Sequence, residues 1–182
     1  MSIIRFFVAI LVVSGGVAYA QQISPALLNA EVPLYVTGVS VGNGADTTED
    51  QLQTYTLPAG QLANVGDIIH ITAGGVFAGS TDSKTVKVKF AGGAVSIPTG
   101  STVGQTRWSS EVWIVKTGSN TQSFMAVGTN VSASAGTNNG TTTATDTNAL
   151  AVTVTGQNAT NSVAGSVTCQ YLAVQYIKAP PS

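Results

Sequence analysis

Short segments in which apolar and polar residues alternate recur along this chain from Thr54 to Lys178, and this pattern constrains the fold more than any other feature. In Thr85–Phe90, two valines and a phenylalanine alternate with Lys87 and Lys89. Successive side chains of a β-strand point to opposite faces of a sheet, so each such segment buries one face and exposes the other. No later segment has a helical period. The pattern therefore predicts an all-β fold.

Turn-forming residues divide the alternating region into about eight strands, a number and spacing typical of a sandwich or barrel. The predicted strands are Thr54–Leu57, Asp67–Phe77, Thr85–Phe90, Ala94–Ile97, Trp108–Lys116, Thr121–Val131, Leu150–Thr155 and Gly165–Lys178. Two packed antiparallel sheets fit best, with a jelly roll as the leading topology, and an immunoglobulin-like strand order stays open. The predicted core consists of Val86, Val88, Phe90, Val112, Ile114, Phe124, Val152, Val154, Val167 and Cys169.

Three local features refine this prediction. Both faces of Trp108–Lys116 carry large apolar side chains, which indicates a central strand. The pair Gly74-Gly75 marks a kink or bulge within its own strand. The stretch from Ser132 to Asn148 is low in complexity and rich in Ala, Gly, Thr and Asn, so it predicts a long exposed loop.

The chain divides into three parts. Residues 1–20 carry one positive charge, an apolar run and small residues before Gln21, which is the pattern of a secretory signal peptide, with an uncleaved hydrophobic anchor as the alternative. Residues 21–53 predict an N-terminal arm that packs along its own domain or reaches a neighbouring subunit. Residues 54–182 form the predicted β-sandwich domain.

The composition narrows the classes of function. Only 8% of the residues are charged, 43% are hydrophobic, and the polar residues are mostly Thr, Ser, Asn, Gln and Gly. A disordered chain would be less hydrophobic and more charged. A formal net charge of -1 favours association, and the absence of a basic patch argues against nucleic-acid binding. This composition is typical of extracellular or virion β-proteins.

The titratable residues predict no catalytic, cofactor-binding or metal site. The chain has a single histidine, His70, on the solvent side of a strand, and a single cysteine, Cys169, that reads as a buried hydrophobe. These are too few for a zinc site. The most unusual carboxylate is Glu111, which lies in the middle of a strand and is predicted to pair with Arg107, Lys116 or a lysine of a neighbouring strand. We therefore predict that the protein is not an enzyme.

The aromatic residues and the predicted loop supply candidates for recognition. Five aromatic residues suit either core packing or a platform on which sugars stack, and both alternatives stay open: Tyr55, Trp108, Trp113, Tyr171 and Tyr176. A variable exposed loop is the expected place for receptor contact. The candidate receptor or glycan contacts are Trp113, Asn138, Asn139 and Thr142.

The run from Tyr55 to Phe90, with Trp108, Lys116-Thr117-Gly118 and Val152–Asn158 further on, resembles a β-sandwich domain common in bacteriophage structural proteins. The resemblance covers about the last two thirds of the chain. It implies a virion structural or host-contact role, often as a trimer, without catalysis. The signal peptide departs from that pattern, since tailed phages assemble in the cytoplasm. It points to a membrane-containing or extruded virus, or to a cellular surface protein with a similar sandwich.

Together these features predict a non-enzymatic structural subunit of a virion or an extracellular fibre that contacts a host receptor. The alternative is a secreted carbohydrate-binding module or adhesin. The expected partners are further copies of the chain, other virion or fibre subunits, and a host-surface glycan or receptor. The expected location is the virion or the cell surface, reached through the signal peptide, and no cofactor is expected.

Overall fold

The structure is a computed structural model that describes residues 31–78, 80–96, 99–102, 106–130, 133–160 and 163–180. These residues form β-strands and no helix, which confirms the all-β prediction. The predicted signal peptide, residues 1–20, lies outside the described residues, as does the first part of the predicted arm. The strands are β1 (Val32–Thr37), β2 (Val41–Gly42), β3 (Asp50–Leu57), β4 (Ile68–Phe77), β5 (Ser80–Phe90), β6 (Gly93–Ser96), β7 (Thr99–Thr102), β8 (Thr106–Gly118), β9 (Thr121–Asn130), β10 (Ala133–Thr142), β11 (Leu150–Asn158) and β12 (Val167–Ile177).

The strands build two antiparallel sheets. Sheet A has the order β1-β12-β4-β8-β9-β10, with β2 also paired to β12, and sheet B has the order β3-β11-β5-β6, with β7 also paired to β5. The strands β1, β3, β4, β5, β6, β8, β11 and β12 follow the jelly-roll path. Sheet A holds β1, β12, β4 and β8 side by side, and these are the first, eighth, third and sixth of the eight strands in chain order. Sheet B holds β3, β11, β5 and β6 side by side, and these are the second, seventh, fourth and fifth. The hairpin β9–β10 is inserted in the chain between the sixth jelly-roll strand, β8, and the seventh, β11.

The core lies between the two sheets. Ile69 and Ile71 of β4 and Val112 and Ile114 of β8 point into it from sheet A, while sheet B contributes valines and Phe90. All of the predicted core residues are buried except one, Phe124, which is partly buried and packs against the core. The central position of β8, between β4 and β9, is also confirmed.

The prediction of a long loop over residues 132–148 is wrong for most of its length. Residues 133–142 form β10, which pairs with β9 and ends in the short connection 143–149 before β11. A strand is held mainly by main-chain hydrogen bonds, which Gly, Asn and Thr supply as well as other residues do. The low β-propensity of this segment was therefore outweighed by its pairing with the preceding strand.

The described part of the predicted arm packs along its own domain. β1 pairs with β12 at the edge of sheet A, β2 pairs with the other end of β12, and β3 pairs with β11 in sheet B. Residues 32–53 thus supply edge strands to both sheets. Leu34, Tyr35 and Leu52 of this segment pack in or against the core, whereas Val32, Val36 and Val39 stay exposed.

A buried polar network fixes the connection 143–149 to the end of the sandwich. Lys116 Nζ lies 2.9 Å from Asp146 Oδ2 and donates to the carbonyl oxygens of Leu62 and Ala63 at 2.7 and 3.2 Å. Gln122 Nε2 donates to Asp146 Oδ1 and to the carbonyl oxygen of Ala144. Since a buried charge is tolerated only with partners of this kind, the network holds the connection in one conformation.

Candidate functional site on the outer face of sheet A

The outer face of sheet A is the surface on which most of the predicted recognition chemistry meets. Along β8, Trp108, Ser110, Val112 and Ile114 point into the core, so the residues between them point outward. This alternation separates the two tryptophans. Trp108 is a core residue whose indole Nε1 donates to the carbonyl oxygen of Thr168 at 3.0 Å, whereas Trp113 lies on the outer face and is partly exposed.

Trp113 belongs to a cross-strand row that we call the Trp113 row, formed by His70, Trp113, Met125 and Asn139. These residues are direct partners on β4, β8, β9 and β10. The rings of His70 and Trp113 stack with centroids 4.9 Å apart and an interplanar angle of 7°. Met125 beside them is 55% exposed. The row therefore presents Trp113, Met125 and Asn139 to solvent, whereas His70, predicted on the solvent side, is buried at 7% exposure.

His70 is held at both ring nitrogens by carboxylates. Its Nδ1 lies 3.1 Å from Glu31 Oε1 and its Nε2 lies 2.9 Å from Glu111 Oε1. A neutral imidazole has one N–H, so only the doubly protonated ring donates to both carboxylates at once. The predicted partners of Glu111, namely Arg107, Lys116 or a neighbouring lysine, were wrong, because Glu111 reaches diagonally across to β4.

This grouping of His70, Glu31 and Glu111 was not expected from the sequence, which predicted no cluster of titratable residues. Its geometry does not favour acid–base catalysis. A general base needs an available nitrogen within hydrogen-bond reach of a reacting proton. Here both nitrogens face carboxylates, and one side of the ring lies against Trp113.

A second feature of the face is built around Tyr171. Sheet pairing between β12 and β4 shifts between Cys169 and Tyr171, so Gln170 is an extra residue on β12. The bulge predicted at Gly74-Gly75 therefore lies on the opposite strand. A Cβ atom at Gly74 would lie 2.5 Å from Tyr171 Cε1, which shows that the tyrosine ring rests directly on the Gly74 backbone. Bulges commonly redirect a side chain in this way.

The ring of Tyr171 borders a shallow groove of about 270 Å³ that we call the Tyr171 groove. Its lining combines the aromatic ring with hydroxyl, amide and guanidinium groups, and consists of Gly75, Arg107, Trp108, Ser109, Thr129, Gln170 and Tyr171. Ser109 Oγ and Thr129 Oγ1 are hydrogen-bonded at 2.5 Å. Tyr171 is 42% exposed. Partial burial, with Cys169 and Glu111 nearby, raises the pKa of its phenol, so the hydroxyl is neutral at neutral pH and both donates and accepts.

The structure brings together two of the four predicted contact residues. Trp113 and Asn139 share the Trp113 row with Met125 between them. Asn138 lies on the other side of β10, where its Nδ2 donates to the carbonyl oxygen of Val95 at 3.3 Å. Thr142 is the partner of buried Gln122 and also lies on that inner side. The sequence analysis missed Gln170 and Gly74, whose roles depend on the bulge.

Cys169 is buried and its thiol donates to the carbonyl oxygen of Tyr171 at 3.3 Å. Burial raises its pKa to about 12, so the thiolate is scarce at neutral pH. The described residues contain no group of His, Cys, Asp and Glu suited to a metal ion. Within the same ranges there is also no helix long and apolar enough to cross a bilayer.

Comparison with known proteins identifies no family. No family model matches the chain, and no curated protein matches it. Among solved structures, the chain is similar to the CBM2 module of the evolved Dit of Lactobacillus casei BL23 phage J-1, with a TM-score of 0.41 and 9% sequence identity. The match covers 85% of this chain and 99% of that module. The jelly-roll assignment rests on the strand order described above.

Proposed function

We propose that this protein is a non-enzymatic attachment protein that binds a glycan across the outer face of sheet A. The observation that carries the proposal is the seating of Tyr171 on the Gly74 backbone beside the polar Tyr171 groove. One side of the ring is supported by the sheet and the other is open. An aromatic ring fixed in this way contacts a ligand without losing conformational freedom on binding.

The chemistry of the face suits a sugar better than an apolar ligand. The apolar faces of Tyr171 and Trp113 match the C–H faces of pyranose rings, and the groups around Tyr171 offer hydrogen-bond donors and acceptors to hydroxyls. Ser109 and Trp113 are four residues apart on β8, a distance of roughly 13 Å at the usual strand rise. The two features therefore suit an extended oligosaccharide rather than a single sugar.

A glycan array followed by titration of the best polysaccharide tests this proposal. We expect Tyr171→Ala to weaken binding at least about tenfold, because one stacked ring contributes about 1 kcal/mol or more and its groove is lost. Tyr171→Phe retains most of the affinity because it keeps the ring. Trp113→Ala weakens binding by a smaller factor.

Thr153→Ala, on the outer face of sheet B, is the matched control, and we expect it to bind as the unchanged protein does. Circular dichroism confirms that each variant is folded. A ligand bound equally well by Tyr171→Ala and by the unchanged protein would show that the outer face of sheet A is not the binding surface.

We expect no turnover of any bound glycan. Paired carboxylates that cleave glycosides flank the scissile bond. In this face the two carboxylates nearest to one another, Glu31 and Glu111, are separated by the His70 ring and hydrogen-bonded to it. Products released on incubation of the protein with its ligand, and lost in Glu111→Gln, would contradict this expectation.

A second role, as a structural subunit of a virion or extracellular fibre, is favoured by exposed valines near the β1 edge of sheet A. Val36 is 68% exposed, and Val32 and Val39 are similarly open. Exposed apolar side chains that cluster at a sheet edge are typical of a subunit contact. We expect a homo-oligomer, with three copies as the resemblance to phage proteins implies, exported by the signal peptide. Light scattering that gives a monomer at all concentrations would exclude this role.

A further inference from the structure

A buried lysine and a buried asparagine face each other at one end of sheet B. Lys84 of β5 and Asn158 of β11 are direct partners in the antiparallel ladder, and both have an exposure of 0%. Their side chains point to the core side, as those of Val86 and Val88 do. Directly opposed residues of an antiparallel pair have Cβ atoms about 5 Å apart. The amine and the carboxamide therefore project from adjacent positions into the buried space between the sheets.

An acid and a network of hydroxyl and amide groups surround this pair. Lys84 Nζ donates to the carbonyl oxygen of Asp82 at 3.1 Å, and the Asp82 carboxylate accepts from Thr160 Oγ1 at 2.7 Å. Asn158 Nδ2 donates to Ser166 Oγ at 3.1 Å. Within the described part of the chain, the buried Asn158 Oδ1 accepts no hydrogen bond. The carboxamide is thus oriented through its nitrogen, while its carbonyl side is left without a protein donor.

The contrast with Lys116, another buried lysine, is informative. Lys116 Nζ has three acceptors, one carboxylate and two carbonyl oxygens, which match the three donors of an ammonium group. Burial lowers the pKa of Lys84, and the nearby Asp82 charge only partly opposes this. Lys84 is therefore closer to the neutral amine, which is the nucleophilic form.

We propose that Lys84 and Asn158 react with each other to form an intramolecular amide cross-link between β5 and β11. The Asp82 carboxylate accepts a proton from Lys84 Nζ, and the neutral amine then attacks Asn158 Cγ. The new Nζ–Cγ bond forms as the Cγ–Nδ2 bond breaks. The Asn158 nitrogen leaves as ammonia after it receives that proton from Asp82, and the Asp82 carboxylate then accepts the second proton that Nζ loses as the secondary amide forms.

The reaction is balanced within the chain. One amine and one primary amide give one secondary amide and one ammonia, with no change of oxidation state and no co-reactant. It requires a site from which water is excluded, since water would compete and would keep the amine protonated. The zero exposure of both residues meets this requirement. The cross-link is independent of the proposed glycan binding.

Peptide mapping of the full chain by mass spectrometry tests the proposal. We expect a branched peptide in which Lys84 is joined to Asn158, lighter than its two components by one ammonia, and no proteolytic cleavage after Lys84. The whole-protein mass alone is not sufficient. Cyclisation of an N-terminal Gln21 or succinimide formation at Asn139-Gly140 also releases ammonia, so the position of the bond has to be read from the peptide.

Three variants and one control define the chemistry. Asn158→Ala and Lys84→Arg remove the electrophile and the nucleophile, and both should abolish the branched peptide. Asp82→Asn should slow its formation at least tenfold while the fold is kept. Lys87→Arg, on the same strand but on the outer face, should leave it unchanged. A folded, unchanged protein whose Lys84 and Asn158 peptides are both recovered unlinked and at full mass would overturn the proposal.

Discussion

The two outer faces of the sandwich differ although the same strand alternation produces both. The outer face of sheet A carries the Trp113 row and the Tyr171 groove. The outer face of sheet B carries threonines with Lys87 and Lys89, as in the cross-strand triplet Thr54, Thr153 and Lys89. A rigid face with rings and a groove is suited to binding a ligand, whereas a polar, threonine-rich face is suited to contact with water.

Two lysines on the face of sheet B share one carboxylate. Glu49 Oε2 lies 2.5 Å from Lys87 Nζ, its other carboxylate oxygen contacts Lys89 Nζ, and Thr155 Oγ1 donates to that oxygen at 2.7 Å. Both lysines are thus engaged with a single carboxylate. On sheet A the ligand-sized groove is instead shaped by the main chain, at the points where glycine allows close approach. The backbone therefore determines the shape of the outer face of sheet A, whereas charged side chains determine the character of the outer face of sheet B.

The largest expected loss of stability comes from disturbing the close approach of β4 and β12 in sheet A. A Cβ atom at Gly75 would lie 1.8 Å from the carbonyl oxygen of Thr168, which belongs to the backbone and cannot turn aside. We expect Gly75→Ala to lower the free energy of unfolding by about 3 kcal/mol or more, measured by urea denaturation.

Gly74→Ala is the matched variant, because the three atoms nearest to its new Cβ belong to the Tyr171 side chain, which can be displaced at less cost than backbone. We expect a loss of stability of about 1 kcal/mol or less, but a loss of glycan binding close to that of Tyr171→Ala. Equal stability of the two alanine variants would contradict the claim that the Gly75 backbone contact shapes this face.

A smaller loss of stability is expected when the ion pairs on the outer face of sheet B are removed. The hydrogen bonds from Lys87 and then Lys89 lower the pKa of Glu49 to about 2 from its usual 4.5. The resulting stabilisation is complete above pH 4.5 and is lost as the pH falls towards 2. After solvent screening we expect Glu49→Gln to lose on the order of 1 kcal/mol at pH 7.

Urea denaturation at several pH values checks this prediction. The difference between the unchanged protein and Glu49→Gln should shrink steadily below pH 4.5. Thr153→Ala is the control, because Thr153 lies on the same sheet and carries no titratable group, so its difference from the unchanged protein should not vary with pH. A constant difference down to pH 2 would show that the Glu49 contacts do not stabilise the fold.

The smallest effect is expected for Thr153→Ala on the outer face of sheet B. Its hydroxyl lies 3.4 Å from that of Thr54, a long contact on an exposed surface. We expect a change in unfolding free energy within about 0.5 kcal/mol and no change in glycan binding. A loss of binding in this variant would move the site to sheet B and reverse the comparison of the two faces.

Most of the fold was predictable because strands with one buried face appear in the sequence as alternating apolar and polar residues. Segments such as Thr85–Phe90 and Trp108–Lys116 alternate strictly, and both are strands whose inward residues are buried. The sequence of β10, which forms a hairpin with β9, shows no such alternation. The main chain of β10 pairs with β9 although the sequence lacks apolar alternation, so composition alone indicated a loop.

The candidate site was predictable only in part. Trp113 was identified because tryptophan in an alternating strand must face either the core or the surface. The contact between Glu111 and His70, and the seating of Tyr171 on Gly74, depend on register and on the bulge at Gln170. Strand register is set by pairing across the sheet, which a single strand's sequence does not specify. The burial of Lys84 was missed because the predicted strand began at Thr85, although Lys84 alternates in phase with Val86 and Val88.

The hairpin β9–β10 has a consequence for how such a surface changes over time. It enters after the sixth jelly-roll strand and returns before the seventh, so the remaining strands keep their path whatever the length of the hairpin. Substitutions in residues 138–142 therefore change the margin of sheet A while the eight jelly-roll strands keep their path. The fold thus separates a constant framework of eight strands from an added hairpin whose length and sequence can change independently.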